Sequence, residues 1–165
     1  MREIGICLLA IALMSAIARA EDLSRLPEPV AVKGATPIMT LKGTGAQIYI
    51  CTRGAQGMLD WSFREPVAAL FKDGKTIGRH FVGPTWEFAD GTRVTAKPEG
   101  KTPGANAADV PWLKLSIIDP ANSGPATGAT TILRIDTKGG AFAGECSEEG
   151  ELHAEPYTAT YVFLK

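Results

Sequence analysis

The chain has only three cysteines and two histidines among its 165 residues, and its formal net charge is −1. Each scarcity removes a class of function. A slightly acidic balance provides no basic face of the kind nucleic-acid binding usually needs, so no nucleic-acid partner is expected. No His-x-His, His-x-x-x-His or Cys-x-x-Cys pair occurs, which leaves no local ligand set; no metal site and no cofactor are predicted. Gly43-Thr44-Gly45 briefly resembles a nucleotide loop. It lacks the third glycine and is followed by a strand pattern, so it reads as a turn. There is no Gly-x-Ser-x-Gly elbow either. Beyond residues 4–17 no apolar run approaches the roughly 20 residues of a membrane-crossing helix. No window of about a dozen residues keeps apolar positions at helical spacing.

What is present begins with MREIGICLLAIALMSAIARA. Arg2 precedes an apolar run, and Ala18-Arg19-Ala20 sets small residues at the two positions a signal peptidase reads, so residues 1–20 are predicted to be a secretory signal. Cys7 lies inside the run and away from the cut, which argues against a lipid-modified cysteine. Without residues 1–20 the chain keeps 15 basic and 17 acidic residues, a formal charge of −2. Residues 21–36 are expected to form an extended arm, and 37–165 one domain. Export exposes Cys51 and Cys146 to oxidising conditions, so the two are predicted to pair. Glu148-Glu149-Gly150-Glu151 reads as a solvated loop.

From residue 37 onward, short runs of aliphatic, aromatic and threonine residues alternate with Gly, Pro and Asp-Gly. That is an all-β signature. Ten strands are expected, at 37–42, 46–53, 58–63, 67–72, 76–82, 85–89, 93–97, 112–118, 130–136 and 158–164. An antiparallel barrel or a two-layer sandwich accommodates them. Several alternate cleanly: Leu113, Leu115 and Ile117 share a face, as do Tyr157, Ala159, Tyr161 and Phe163, while Ala46, Ile48 and Ile50 oppose Gln47, Tyr49 and Cys51. FKDGKTIGRHFVGPTWEFADGTRV, residues 71–94, repeats the pattern aromatic-x-Asp-Gly-x-x-aliphatic and is predicted to be a four-strand meander with two tight Asp-Gly hairpins. Gly83-Pro84 joins them.

Polar residues worth following cluster in this meander. His80 is expected beside either Glu87 or Trp86, according to a register that the sequence leaves open. A histidine beside a carboxylate is a candidate general base, so one reading is a small hydrolase or isomerase using His80 with Glu87 or Asp90. Glu87 is equally suited to pair with Arg79 or Arg93 across strands. Asp73 and Asp90 are accounted for by their turns. Trp61, Trp86 and Trp112, with Tyr49, Tyr157 and Tyr161, fall on expected strands and serve as core or as an apolar floor for a ligand. Arg134 shares a face with Ile132, and a partly buried guanidinium needs a partner, expected to be Asp136 or Glu87.

These residues carry a resemblance. GAQIYIC at 45–51, Trp61, Pro66 and Leu70, IGRHF at 77–81 and GPTWE at 83–87, Asp90-Gly91, Pro111-Trp112-Leu113, Arg134, Thr137-Lys138-Gly139-Gly140, Cys146, and Pro156-Tyr157-Thr158-Ala159 with Tyr161 and Phe163 resemble the domain of unknown function 3455 family. The family consists of exported bacterial and fungal proteins. The resemblance implies an exported domain and gives His80, Trp86 and Glu87 a common setting; it brings no catalytic residue or ligand. A malate dehydrogenase label on some fungal relatives finds no dinucleotide loop or βαβ order in this chain.

The sequence therefore points to a non-enzymatic exported β-domain, periplasmic or secreted, binding a small molecule or a cell-envelope protein. Candidate ligand-binding residues are His80, Trp86, Glu87, Arg134, Arg79 and Trp112. Two alternatives stay open: the hydrolase or isomerase above, and a structural or interaction module of the envelope.

Overall fold

A computed structural model describes residues 23–165; the predicted signal segment lies outside them. Eight strands follow in chain order: β1 (Pro37–Arg53), β2 (Leu59–Lys72), β3 (Lys75–Phe81), β4 (Thr85–Phe88), β5 (Arg93–Thr102), β6 (Trp112–Asp119), β7 (Thr131–Gly139) and β8 (Leu152–Leu164). Each pairs antiparallel with the next, and β8 returns to β1, so the single sheet closes into a barrel. Closure removes the free edges that an open sheet would present.

Ten expected strands become eight because two expected breaks are continuous strand. Gly43-Thr44-Gly45 is not a turn. These residues pair with Leu70, Ala69 and Ala68 on one side and with Ala159, Thr158 and Tyr157 on the other. The glycines are needed for close approach: a Cβ on Gly45 would lie 2.0 Å from the Val67 carbonyl oxygen, and one on Gly43 would lie 2.5 Å from the Tyr161 ring. Near Pro66, Ile48 pairs with Glu65 and Tyr49 with Phe63, leaving Arg64 as the extra residue of a bulge. Such a bulge bends the strand without ending it.

The meander is confirmed, but its two turns differ. Asp73 and Gly74 both take positive φ, 50° and 75°, as a type I′ turn requires. At the second turn only Gly91 does so, at 83°. Its N–H donates to the Phe88 carbonyl, while Asp90 accepts from the Thr92 backbone N–H and hydroxyl, the form of a three-residue loop with a glycine bulge.

The interior is filled by alternate side chains, among them Leu41, Leu70, Trp86, Val94, Leu115, Ile132, Tyr161 and Phe163. Ala121, Ala126 and Ala129 join this core from the β6–β7 connection and close one end of the barrel. The other end carries the β1–β2, β3–β4, β5–β6 and β7–β8 connections. A second cluster lies outside the barrel wall, where Leu133, Ile135, Val162 and Leu164 are covered by Leu23, Leu26, Val32 and Ala35. The lead-in expected as an extended arm thus contains a 3-10 turn at Leu23–Arg25 and straps the backs of β7 and β8. Cys51 and Cys146 form a disulfide with Cα atoms 5.9 Å apart, tying β1 to the β7–β8 connection.

Candidate functional site

The β3–β4 pairing settles the register. His80 stands opposite Trp86, and Arg79 opposite Glu87. Because successive side chains alternate across a strand, one pair enters the barrel and the other faces outward. His80 is 2% exposed and Trp86 fully buried. Their rings stack with centroids 4.3 Å apart, and the Tyr161 edge meets His80 at 5.1 Å and Trp86 at 5.6 Å.

These three residues and Arg134 line a cavity of about 280 Å³ whose walls include Leu113 and Leu115. Phe63, Pro66, Val82, Pro84 and Pro98 border it toward the connection-bearing end. Phe63 and Val82 are both more than half exposed, so the rim, which also carries Arg64, is largely apolar and accessible.

The polar groups of the cavity are few and unevenly matched. His80 Nδ1 lies 2.9 Å from the Thr85 carbonyl oxygen. A carbonyl only accepts, so Nδ1 carries the proton and Nε2 keeps a lone pair. Burial pushes the imidazole pKa down to about 3; the bond to Thr85 opposes that shift, and the nearby Arg134 charge reinforces it. Trp86 Nε1 is a buried donor without a hydrogen-bond partner. The hydroxyls of Tyr157 and Tyr161 bond to each other at 2.9 Å, and burial raises the pKa of both.

Arg134 corrects the sequence expectation. Its Nε and Nη2 donate to the Pro111 carbonyl oxygen at 3.3 and 2.9 Å, not to Asp136 or Glu87. Asp136 accepts from Thr160 instead. Glu87 lies outside, where it pairs with Arg79 at 2.8 Å and with Arg93. These contacts, led by the Arg79 hydrogen bond, lower its pKa. Arg134 as a residue is 9% exposed, and among the described residues no carboxylate pairs with it.

The structure therefore brings together three of the six candidates, His80, Trp86 and Arg134. Arg79 and Glu87 occupy the outer face, where Arg79 also sits over the Phe81 ring at 4.8 Å. Trp112 packs with the outer cluster behind β7 and β8. The general-base pair does not assemble: His80 is inside, Glu87 outside, and Asp90 is held by Thr92 in its turn. Tyr161 belongs to the site although it was not among the six. Its place was readable, since it shares the inward period-two face with Tyr157, Ala159 and Phe163. The Pro111 carbonyl had no sequence signal, because any residue supplies one.

Among the described residues, no three or more His, Cys, Asp or Glu side chains gather as a metal site, and no helix is long and apolar enough to cross a membrane. A neutral imidazole, an indole whose N–H has no partner among the described residues and one buried cation line a largely apolar chamber, a composition of the kind small-molecule sites show. No curated protein and no solved structure matches the chain. The family model described as "Protein of unknown function (DUF3455)" matches residues 32–165, and the chain belongs to that family.

Proposed function

We propose that this protein is an exported, non-enzymatic β-barrel that binds a small molecule in the cavity between His80, Trp86 and Arg134. The observation carrying this reading is an accessible chamber lined by a buried cation without a carboxylate partner and by an indole whose N–H is unpaired among the described residues. Buried donors and charges are normally matched within a fold, and unmatched ones facing a cavity call for a ligand or ordered solvent. The disulfide supports passage through an oxidising compartment. The size is suitable, since a dry cavity of about 150 Å³ holds benzene. At about 280 Å³ this chamber admits a substituted ring or a short chain.

A thermal-shift survey of small apolar and amphipathic compounds, neutral and charged, tests the reading. A compound present at about 100 times its dissociation constant stabilises by about 2.7 kcal/mol, enough for a clear rise in Tm. The rise is expected to vanish in Val82→Trp, which places bulk at the rim on an exposed position. If no class of compound raises Tm, or if Val82→Trp leaves every rise intact, the cavity is not a binding site.

A further inference from the structure

We infer that the ligand is a small monocarboxylate with an apolar body, its carboxylate held by Arg134 at the cavity floor. This rests on the binding reading above and names the chemistry of the bound molecule. Arg134 is a buried cation surrounded by neutral groups: the Pro111 carbonyl, the Tyr157 and Tyr161 hydroxyls, and an imidazole that stays neutral near physiological pH. Removing a charge from water without a counter-charge is costly, and an incoming anion supplies the missing partner.

The geometry of the guanidinium narrows the choice. Nε and Nη2 converge on one oxygen, which occupies the side edge of the fork. Among the described residues no acceptor bonds to Nη1, so the end edge formed by Nη1 and Nη2 is open to the two oxygens of a carboxylate. Trp86, whose buried Nε1 has no hydrogen-bond partner among the described residues, is part of the same lining.

One charge is met by one charge. Arg64 at the rim is already paired with Glu65 at 3.3 Å. With His80 neutral, no second free cation lines the chamber among the described residues to meet a second negative oxygen. A monoanion is therefore preferred over a phosphate dianion. The apolar walls of Leu113 and Leu115 take the rest of the molecule.

Binding of octanoate, octanamide and octyl phosphate to the folded chain, followed by tryptophan emission and calorimetry near pH 7.5, separates the possibilities. Octanoate is expected to bind at least tenfold more tightly than either of the others. Its affinity should fall as pH drops through the carboxyl range near about 4–5, where the ligand gains a proton, while octanamide is unaffected. Arg134→Gln should lower octanoate affinity at least tenfold and leave octanamide unchanged. If that variant does not fold, the three-ligand comparison on the native chain decides alone. Equal binding of octanoate and octanamide overturns the carboxylate assignment but leaves the cavity a binding site. Tightest binding of octyl phosphate overturns it in favour of a dianion. If none of the three binds while neutral compounds in the wider survey do, the assignment fails alone; if nothing binds in either, both fail.

Discussion

His80 and Trp86 face each other across β3 and β4 with their ring planes 16° apart, and the imidazole is sealed in a state that resists protonation. An unfolded histidine takes its proton near pH 6.5, whereas this one does so near 3 in the fold. Between those values the unfolded chain binds the extra proton. Stability from His80 is thus complete above about pH 6.5 and is lost progressively as the pH falls toward 3. From pH 7 to 5 the loss is expected to be about 2 kcal/mol. Urea titrations at the two pH values measure it, and His80→Gln should remove that part of the pH dependence. An unchanged pH dependence in the variant would show that His80 titrates normally in the fold.

Glu87 sits one residue along from Trp86 yet on the other side of the barrel wall, between Arg79 and Arg93. Exposed pairs contribute little to stability. Glu87→Gln is expected to leave ligand-induced changes in Tm intact, whereas substitutions of Trp86 or Arg134 reduce them. A catalytic or binding partnership between His80 and Glu87 requires the opposite result, loss of the ligand effect in Glu87→Gln.

Much of the architecture was legible because period-two alternation survives wherever a sheet separates two environments. β6 and β8 show this: Leu113, Leu115 and Ile117, and Tyr157, Ala159, Tyr161 and Phe163, face inward as their spacing implied. In β1 alternation identified the faces but not the inside. Gln47, Tyr49 and Cys51 are buried, while the more aliphatic Ala46, Ile48 and Ile50 are only half-buried. Tyr49 is kept there by its hydroxyl, which donates to the Gly140 carbonyl and accepts from the Phe142 N–H, and Cys51 by its disulfide. Those partners are about 90 residues distant in sequence, beyond the reach of a local pattern. The site was half legible for a related reason. Alternation alone separates Trp86 from Glu87, but whether His80 sides with one or the other depends on a register that one residue of slip reverses.

The two strand glycines make contrasting predictions. Gly45→Ala drives a methyl group into the Val67 backbone, which has no freedom to retreat, and is expected to destabilise by about 1–3 kcal/mol or to block folding. Gly43→Ala instead presses on the Tyr161 ring, which borders the cavity. Its expected effect is a fall in ligand affinity together with a smaller loss of stability. Gly54→Ala has its nearest neighbour at 3.6 Å and serves as the neutral control. If Gly45→Ala melts with the native protein, the close β1–β2 packing is wrong.

The disulfide spans 95 residues of sequence. By the loop-closure argument, a crosslink of that length stabilises by about 4–5 kcal/mol at most, chiefly by restricting the unfolded chain. The double substitution of Cys51 and Cys146 by alanine should therefore lower the urea midpoint strongly while leaving the β-rich far-UV spectrum in place. Treatment of the native protein with a reductant should reproduce the shift. A midpoint indifferent to both changes would mean that the link contributes nothing to folding.

Two adjacent carbonyls are among the groups that fasten the β5–β6 connection over the barrel, beside the Val110 N–H bond to the Gly139 carbonyl and the Gly139 N–H bond to Asp109. Val110 O accepts the Thr137 hydroxyl at 2.6 Å, and Pro111 O accepts the Arg134 guanidinium. Thr137 reaches inward because β7 shifts register between Ile135 and Lys138, where Asp136 takes a φ of 49°. Thr137→Val preserves the shape but removes the donor, leaving the Val110 carbonyl unpaired at a cost of about 1–3 kcal/mol. Thr137→Ser keeps the donor and should retain most of the stability. Because Val110 and Pro111 are consecutive, loosening one carbonyl also loosens the atom that holds Arg134. Hydrogen exchange in residues 103–111 should accelerate in Thr137→Val before global unfolding does, and bound ligand should leave faster. Should the valine and serine variants prove equally stable, with exchange in 103–111 unchanged, the Thr137 hydrogen bond does not fasten the connection.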